Sequence, residues 1–218
     1  MAETIAIIDY GSGNLKSAEK AFQRAADEAK ITADIIVTSN VDQVKNADRI
    51  VLPGVGAFGD CRAGIMAIDG MDQVLRERVI KDGAPFFGIC VGMQLMAERG
   101  LEKGIHDGFG WIRGQVVPIV PDDLALKVPH MGWNNLKFSQ NHPIFAGLRD
   151  GPAGQNAYFV HSYQFEVENE KDLLATTDHG GSISAVVGRN NMVGTQFHPE
   201  KSQAFGLKLI GNFLRWKP

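Results

Sequence analysis

The chain has 218 residues, of which 44% are hydrophobic and 22% charged, and its formal net charge is -3 at pH 7. These values are typical of a globular protein with a substantial core, and they lack the basic excess of a nucleic-acid-binding surface. No apolar run approaches the roughly 18 residues of a membrane span, and no basic segment of a signal peptide opens the chain. With only two cysteines, Cys61 and Cys90, a secreted disulfide scaffold is not expected. We therefore expect a cytoplasmic protein with free thiols and neither nucleic-acid nor membrane partners.

The first hundred residues alternate between apolar runs and helical patterns. Strands are predicted over 4–10, 33–38, 49–52 and 85–90, and helices over 15–29, 58–80 (with a break at Asp69-Gly70) and 91–99. Continuously apolar strands separated by helices predict an open, mostly parallel α/β sheet with helices on both faces. Ligands of such sheets bind beyond the carboxyl ends of the strands, so the turns there are expected to form the site.

The second half is predicted to be mostly strands. Strand-like runs cover 111–120, 128–138, 157–166, 173–178, 182–189 and 192–197, and a final amphipathic helix covers 204–216. Gly180-Gly181 and Asn190-Asn191 lie between runs as hairpin turns, which predicts an antiparallel C-terminal extension. Because no repeat or linker interrupts the pattern, we expect one domain over residues 1–218.

A candidate nucleophile lies at the junction of the fourth strand and its helix, in Gly88-Ile89-Cys90-Val91-Gly92. This is the pattern of a nucleophile elbow with Cys in place of Ser. The sharp turn exposes the thiol, the glycines avoid Cβ clashes, and the helix N-terminus favours the thiolate. A buried structural cysteine is the alternative, which the flanking glycines make less favourable. Cys61 has no such context and is expected to pack in the core.

His198 is the candidate base, because it alone among six histidines ends an apolar strand with an acid two residues on. In an extended chain His198 and Glu200 share a face, and Pro199 favours that conformation at His198. Glu200 can then bind Nδ1, which leaves Nε2 to take the thiol proton and return it to the leaving amine. The alternative is a solvated His–Glu pair at a strand end.

Acyl transfer at Cys90 also needs donors for a tetrahedral oxyanion. The backbone N–H of Val91, just after the nucleophile, is the first candidate. The second is the Gly54–Val55 peptide in Pro53-Gly54-Val55-Gly56, at the end of the third strand. An ordinary β-turn explains those glycines equally well.

Gly11-Ser12-Gly13 also follows a strand and precedes a helix, as in dinucleotide-binding loops. The third glycine of that fingerprint is replaced by Lys16, and the second strand ends in Thr38-Ser39 rather than an acid. A structural turn is therefore expected here, and no cofactor or metal.

Taken together, these residues resemble the class I (triad) glutamine amidotransferases, and among them the glutaminase subunits of imidazole glycerol phosphate synthases. The nucleophile segment extended to Met93-Gln94 and the distant His198-Pro199-Glu200 carry the general resemblance. The narrower one rests on four segments: Asp9-Tyr10-Gly11-Ser12-Gly13-Asn14-Leu15, Pro53-Gly54-Val55-Gly56-Ala57-Phe58, Pro129-His130-Met131-Gly132-Trp133-Asn134 and Phe159-Val160-His161-Ser162-Tyr163. The match spans nearly the whole chain.

The resemblance implies that glutamine binds beside Cys90 and is hydrolysed through a γ-glutamyl thioester. It implies that Gln94, Ser162 and Tyr163 hold the polar end of the substrate. The ammonia would pass to a (β/α)8-barrel cyclase subunit, in a heterodimer that makes imidazole glycerol phosphate and aminoimidazole carboxamide ribotide for histidine biosynthesis. Low activity without that partner is also implied, with the Gly54–Val55 peptide as a candidate switch.

The resemblance places the contact with the partner at Trp133, Tyr158 and Lys201, although a buried core Trp133 is an alternative.

Other functions remain open on sequence alone. One is the glutaminase subunit of another class I amidotransferase. Another is a stand-alone cysteine hydrolase of the same fold, such as a γ-glutamyl peptidase, which needs no partner, or a deglycase-type protein. A binding protein without catalysis is disfavoured by the intact Cys90, His198 and Glu200.

Overall fold

The computed structural model describes residues 2–123, 125–151 and 154–218. Its strands are β1 Glu3–Ile8, β2 Ala33–Thr38, β3 Arg49–Gly54, β4 Phe86–Cys90, β5 Arg99–Gly100, β6 His106–Asp107, β7 Gly114–Pro118, β8 His130–Asn135, β9 Lys137–Phe138, β10 Asn156–His161, β11 Tyr163–Val167, β12 Leu173–Asp178, β13 Ser182–Arg189 and β14 Met192–Thr195. The α-helices are α1 Leu15–Ala29, α2 Val41–Asn46, α3 Phe58–Met66, α4 Met71–Leu75, α5 Val91–Gln94 and α6 Gln203–Arg215, and α4 continues as a π-helix over Arg76–Lys81.

The main sheet has the strand order β2-β1-β3-β4-β14-β13-β12-β9. The first five of these strands pair in parallel, and the last three pair antiparallel to their neighbours. This confirms the predicted parallel sheet with an antiparallel extension. The two predicted hairpin turns are also confirmed, because they connect β12 to β13 and β13 to β14.

Both faces of the sheet are covered, as the apolar strands predict. Consecutive residues of β4 project to opposite faces. Phe87 packs at 5.0 Å from Phe213 of α6, whereas Phe86 packs edge-on at 5.0 Å from Trp111. Both phenylalanines are fully buried. Cys90, at the end of β4, therefore belongs to a strand that lies in the centre of the core.

The predicted helix over 91–99 is wrong beyond its first turn, since α5 ends at Gln94. The carbonyl groups of Leu95, Met96 and Ala97 do not accept from residues four positions later. They accept instead from backbone N–H groups in the segment 109–112. Long-range pairing thus replaces the helix after one turn, a tertiary effect that the local apolar spacing does not reveal.

Three predicted strands are shorter or divided. The run over 157–166 splits at Ser162 into β10 and β11, which belong to different sheets. The run over 128–138 divides into β8 and β9, and that over 111–120 contracts to β7.

Helix α2 was not predicted; the Asn40 side chain caps it by accepting from the N–H groups of Asp42 and Gln43. The break at Asp69-Gly70 is confirmed between α3 and α4.

Candidate active site

Cys90 adopts a strained conformation at the turn between β4 and α5. Its φ and ψ are 54° and -111°, a region that non-glycine residues rarely enter. The flanking glycines make the turn possible: a Cβ on Gly88 would lie 2.6 Å from the Gly92 carbonyl oxygen, and one on Gly92 would collide with that of Leu52. The predicted elbow geometry is therefore present around the thiol.

The ends of neighbouring parallel strands bring the other candidates to this turn. Gly54, at the end of β3, is the register partner of Cys90, and β14 pairs with β4 up to Ile89. The chain leaving β14 then carries His198 beside the elbow, although 108 positions separate it from Cys90 in the sequence. Parallel packing alone produces this convergence at the carboxyl edge.

The His198 and Glu200 side chains form a buried pair. Nδ1 of His198 lies 2.8 Å from Oε1 of Glu200, and the two side chains are only 2% and 3% exposed. Burial lowers the pKa of His198, but its interactions with Cys90 and Glu200 outweigh burial and raise the pKa to about 10. Nε2 makes no hydrogen bond of good geometry among the described residues, and the group that it approaches is the Cys90 thiol. The ring is thus oriented by Glu200 and left free to exchange a proton with Cys90.

A cavity of about 310 Å³ opens beside Cys90 and His198. It is lined by Val55, Gly56, Cys90, Val91, Gln94, Glu102, Pro129, Val160, His161, Ser162, Tyr163 and His198. Cys90 and His198 share it with all three residues expected to hold substrate. The cavity can therefore admit a small polar ligand to the thiol.

The two predicted oxyanion donors differ in their state. Val91 is the first residue of α5, where a backbone N–H has no intrahelical acceptor, and it lines the cavity. The Val55 N–H instead donates to Ser12 Oγ at 3.3 Å. The Ser12 hydroxyl and the Cys61 thiol in turn donate to the Val55 carbonyl. Of the two donors, the Val91 N–H has no acceptor among the described residues and can serve a substrate in this conformation.

The predicted substrate residues are held by a chain of hydrogen bonds. The Tyr163 carbonyl accepts from Gln94 Nε2 at 3.2 Å and from His161 Nδ1 at 2.8 Å. Nε2 of His161 must then accept, so Nδ1 of His130, 3.0 Å away, is its donor. Burial lowers the pKa of His130 to about 3 and that of His161 to about 4. Both rings are therefore neutral at pH 7, which fixes the cavity wall without adding charge.

Sequence reasoning gave Glu102, Ser12 and Gln196 no part in this site. Glu102 lines the cavity and accepts from the Phe58 N–H at 2.8 Å. Ser12 holds the Val55 peptide, and Gln196 is fully buried against Cys90. Ser12 had a local signal in the glycines on either side of it, and Gln196 had one in its position just before His198. No local pattern distinguishes Glu102 from an ordinary surface acid.

The three predicted contact residues lie together at the surface. Trp133 of β8 is opposite Tyr158 of β10, with ring centroids 5.7 Å apart, and Lys201 Nζ lies 5.8 Å from the Tyr158 ring centre. Trp133 is 47% exposed, so the alternative of a buried core tryptophan is wrong. The Tyr158 carbonyl accepts from the His198 N–H at 2.9 Å, which joins this patch to the site.

Comparison with known proteins agrees with this geometry. The family model for "Glutamine amidotransferase class-I" matches residues 6–215. The chain is 59% identical over 214 residues to the imidazole glycerol phosphate synthase subunit HisH of Brucella suis, covering 98% of this chain and 99% of that protein. This chain belongs to the class-I glutamine amidotransferases and, within them, to the HisH family.

Other relatives of this amidotransferase have similar identity. The HisH subunit of Rhodopseudomonas palustris is 59% identical, with 99% of this chain and all of that protein covered. The HisH subunit of Mesorhizobium japonicum is 58% identical, covering 98% and 99%. These matches run across the elbow, the histidine segment and the strands between them.

Solved structures share the fold at low identity. A putative GMP synthase protein from Thermoplasma acidophilum has a TM-score of 0.66 at 20% identity, covering 99% of this chain and 94% of that one. A structure described as a glutamine amidotransferase has a TM-score of 0.69 at 16% identity, covering 97% of both chains. At these identities the likeness supports the amidotransferase fold alone.

The described ranges 2–123, 125–151 and 154–218 hold neither a membrane-spanning helix nor a metal cluster. Within them, no helix of the amidotransferase is long and apolar enough to cross a membrane. Nor does any group of three or more His, Cys, Asp or Glu side chains in that part of the chain have an arrangement that could hold a metal ion.

Proposed function

We propose that this chain is the glutaminase subunit of an imidazole glycerol phosphate synthase of histidine biosynthesis. It hydrolyses glutamine to glutamate and passes the ammonia to a cyclase subunit. The observation that carries the proposal is the Cys90 elbow beside His198, which Glu200 holds, at a cavity of about 310 Å³ that both Cys90 and His198 line. The 59% identity to HisH subunits over almost the full chain supports the same activity.

The thiol of Cys90 attacks the side-chain amide carbon of glutamine while Nε2 of His198 holds its proton. The resulting oxyanion accepts a hydrogen bond from the Val91 N–H. When the C–N bond breaks, His198 returns the proton to the leaving nitrogen, and ammonia departs from a γ-glutamyl thioester. Water, deprotonated by His198, then attacks the thioester carbon, and glutamate and the Cys90 thiol are released.

The other end of glutamine carries an ammonium and a carboxylate. Glu102 is an acid in the cavity wall, and we assign it to the substrate ammonium on charge alone. Gln94 and the Ser162–Tyr163 segment supply neutral polar groups for the remaining contacts. Because His130 and His161 are neutral, they leave the charge of the pocket to Glu102 and His198.

The partner is a cyclase subunit with a (β/α)8 barrel, which forms a heterodimer with this cytoplasmic chain. We assign Trp133, Tyr158 and Lys201 to the contact because they form one aromatic and basic surface patch, in which Trp133 and Lys201 are exposed and Tyr158 is half-buried. Ammonia released in bulk solvent would be protonated and lose its nucleophilicity. Docking over the cavity mouth would shield its route to the cyclase.

The resting geometry supports low activity without the partner. The Val55 N–H, the second oxyanion candidate, is occupied by Ser12. One oxyanion donor contributes on the order of 10²- to 10³-fold in kcat. Release of this N–H on partner binding, with rotation of the Gly54–Val55 peptide toward the cavity, would therefore switch on hydrolysis.

The test mixes the chain with the cyclase and follows glutamate release with and without the cyclase substrate. We expect slow hydrolysis by the isolated chain, a large increase with the loaded cyclase, and loss of both in Cys90→Ala. Hydrolysis that is as fast for the isolated chain as for the complex would contradict the assignment to a synthase and favour a stand-alone hydrolase. No glutamate under any condition would contradict the glutaminase itself.

The interface is tested separately with Trp133→Ala. Truncating a tryptophan that is an interface hot spot costs about 2 kcal/mol or more, so the Kd for the cyclase is expected to rise at least about 30-fold by calorimetry. Ile105→Ala, at an apolar residue that is 73% exposed, is the matched control and should leave the Kd unchanged. Equal affinities for the two variants would remove Trp133 from the contact.

A further inference from the structure

Gln196 is a fully buried amide directly behind the nucleophile. It follows β14 and has no solvent-exposed surface. Its Nε2 lies 3.7 Å from Cys90 Sγ, and its Oε1 accepts from Gln94 Nε2 at 3.0 Å. The proposed glutaminase mechanism uses Gln94 and Cys90 but gives no role to the amide between them.

The neighbouring groups fix the orientation of this amide. The Tyr163 carbonyl can only accept, so the Gln94 atom that faces it must be the donor Nε2. The same Nε2 faces Gln196, which must therefore present Oε1 to Gln94. The NH2 group of Gln196 is consequently directed to the sulfur. If the Gln196 amide were turned over, its NH2 group would face the NH2 group of Gln94, and two donors would oppose each other.

A donor at this position favours a charged sulfur over a neutral one. Hydrogen bonds to an anionic acceptor are roughly twice as strong as those between neutral groups. Helix α5, which the sequence predicts to be long, is a single turn from Val91 to Gln94. Support for negative charge on the sulfur therefore falls to close contacts, and among the described residues these are His198 and Gln196.

The other titratable groups near the sulfur do not supply that support. They are Tyr10, just after β1, Cys61 of α3, Glu102 and His161. Burial raises the pKa of the Tyr10 hydroxyl far above its usual value and raises that of the Cys61 thiol, so both are neutral at pH 7. Burial lowers the pKa of His161 to about 4, so it too is neutral. Glu102 is an acid and supplies no positive charge to support a thiolate.

We propose that Gln196 is a positioning residue for the glutaminase reaction, whose side-chain N–H holds the Cys90 sulfur as a thiolate facing the substrate. This inference rests on the proposed function and assigns a part of the same site. Because Gln94 lines the cavity and donates to Gln196, the amide also joins the substrate-binding wall to the nucleophile.

The test compares Gln196→Glu and Gln196→Met with the unmodified chain, in the complex with the loaded cyclase. Gln196→Glu keeps an acceptor for Gln94 but removes the donor to sulfur and adds a like charge. We expect kcat for glutamine to fall at least 30-fold while KM changes less than about 3-fold. The pH midpoint for iodoacetamide labelling of Cys90, read by mass spectrometry of its peptide, should rise by one unit or more.

Gln196→Met has a similar length, no charge and no donor, so its midpoint should rise by a smaller amount. It also provides the test if the glutamate variant fails to fold, as judged by circular dichroism. Gln73→Glu, the same change at an exposed position of α4, should match the unmodified chain. An unchanged labelling midpoint in a folded Gln196 variant would overturn the proposal, whatever its activity. Failure of the unmodified complex to hydrolyse glutamine would instead contradict the proposed function.

Discussion

At the residue scale, Cys90 is the place where local strain and chemistry coincide. Its backbone conformation costs of the order of 1–3 kcal/mol, and the surrounding sheet and glycines maintain it. The glycine spacing around Cys90 allowed this turn to be predicted. The sequence did not show that an amide donor, Gln196, would lie behind the sulfur.

Glu200→Gln should lower kcat for glutamine by roughly 10- to 100-fold, since one hydrogen bond to a charged group contributes about 1.5–3 kcal/mol. The amide still fits beside His198 but carries no charge. Because Glu200 helps to raise the pKa of His198 to about 10, the alkaline limb of the rate should move to lower pH. Steady-state kinetics from pH 6 to 10 would check both effects, and an unmoved limb would exclude this role for Glu200.

Ser12→Ala should raise the basal rate of the isolated chain, by up to about 10²-fold, because it frees the Val55 N–H to serve the oxyanion. Glutamate release without the cyclase is the measurement. Ser12→Thr keeps the hydroxyl and is the control, with a basal rate near that of the unmodified chain. A fall in the rate of Ser12→Ala would indicate that Ser12 supports the active geometry instead.

At the element scale, the site depends on how closely α5 packs against β3. Strand β3 is entirely buried, and its end, Gly54, is in register with Cys90. A Cβ on Gly54 would lie 2.8 Å from the Gly92 nitrogen, so the strand and the turn can approach this closely only because both positions are glycine. The same approach sets the oxyanion candidates beside the nucleophile.

Gly92→Ala should therefore destabilise the fold by about 3 kcal/mol, the upper end of the usual cost of overpacking, because the added methyl collides with the Leu52 carbonyl in a buried strand. Urea unfolding followed by circular dichroism would measure the loss. Gly211→Ala in α6 is the matched control, since its Cβ meets Ala29 at an ordinary 3.6 Å. That control should be neutral or up to about 1 kcal/mol more stable. Similar losses in both variants would contradict the packing argument.

At the scale of the whole molecule, buried neutral histidines make stability depend on pH. Burial lowers the pKa of His142 in addition to those of His130 and His161. Below about pH 6.5 the unfolded chain binds protons at these rings and the folded chain does not. Stability is therefore lost as the pH falls. His198, with its raised pKa, acts in the opposite direction and loses its contribution between pH 6.5 and about 10.

The free energy of unfolding should accordingly fall between pH 6.5 and 5, with a slope that approaches about 1.4 kcal/mol per pH unit for each such histidine. Urea midpoints at several pH values would measure it. His130→Gln should show a shallower slope than the unmodified chain. Equal slopes for the two proteins would show that His130 is not one of the proton-linked groups.

The parallel sheet, its antiparallel extension, the elbow and the His198–Glu200 pair could be predicted from the sequence, because apolar periodicity, glycine spacing and i, i+2 geometry are local properties. Three-dimensional packing was needed to show that α5 stops after one turn, that β10 and β11 separate at Ser162, that Glu102 lines the cavity, and that Ser12 and Gln196 contact the Val55 peptide and Cys90. Each of these depends on hydrogen bonds or contacts between segments far apart in the chain, and such contacts leave no periodic trace in the sequence.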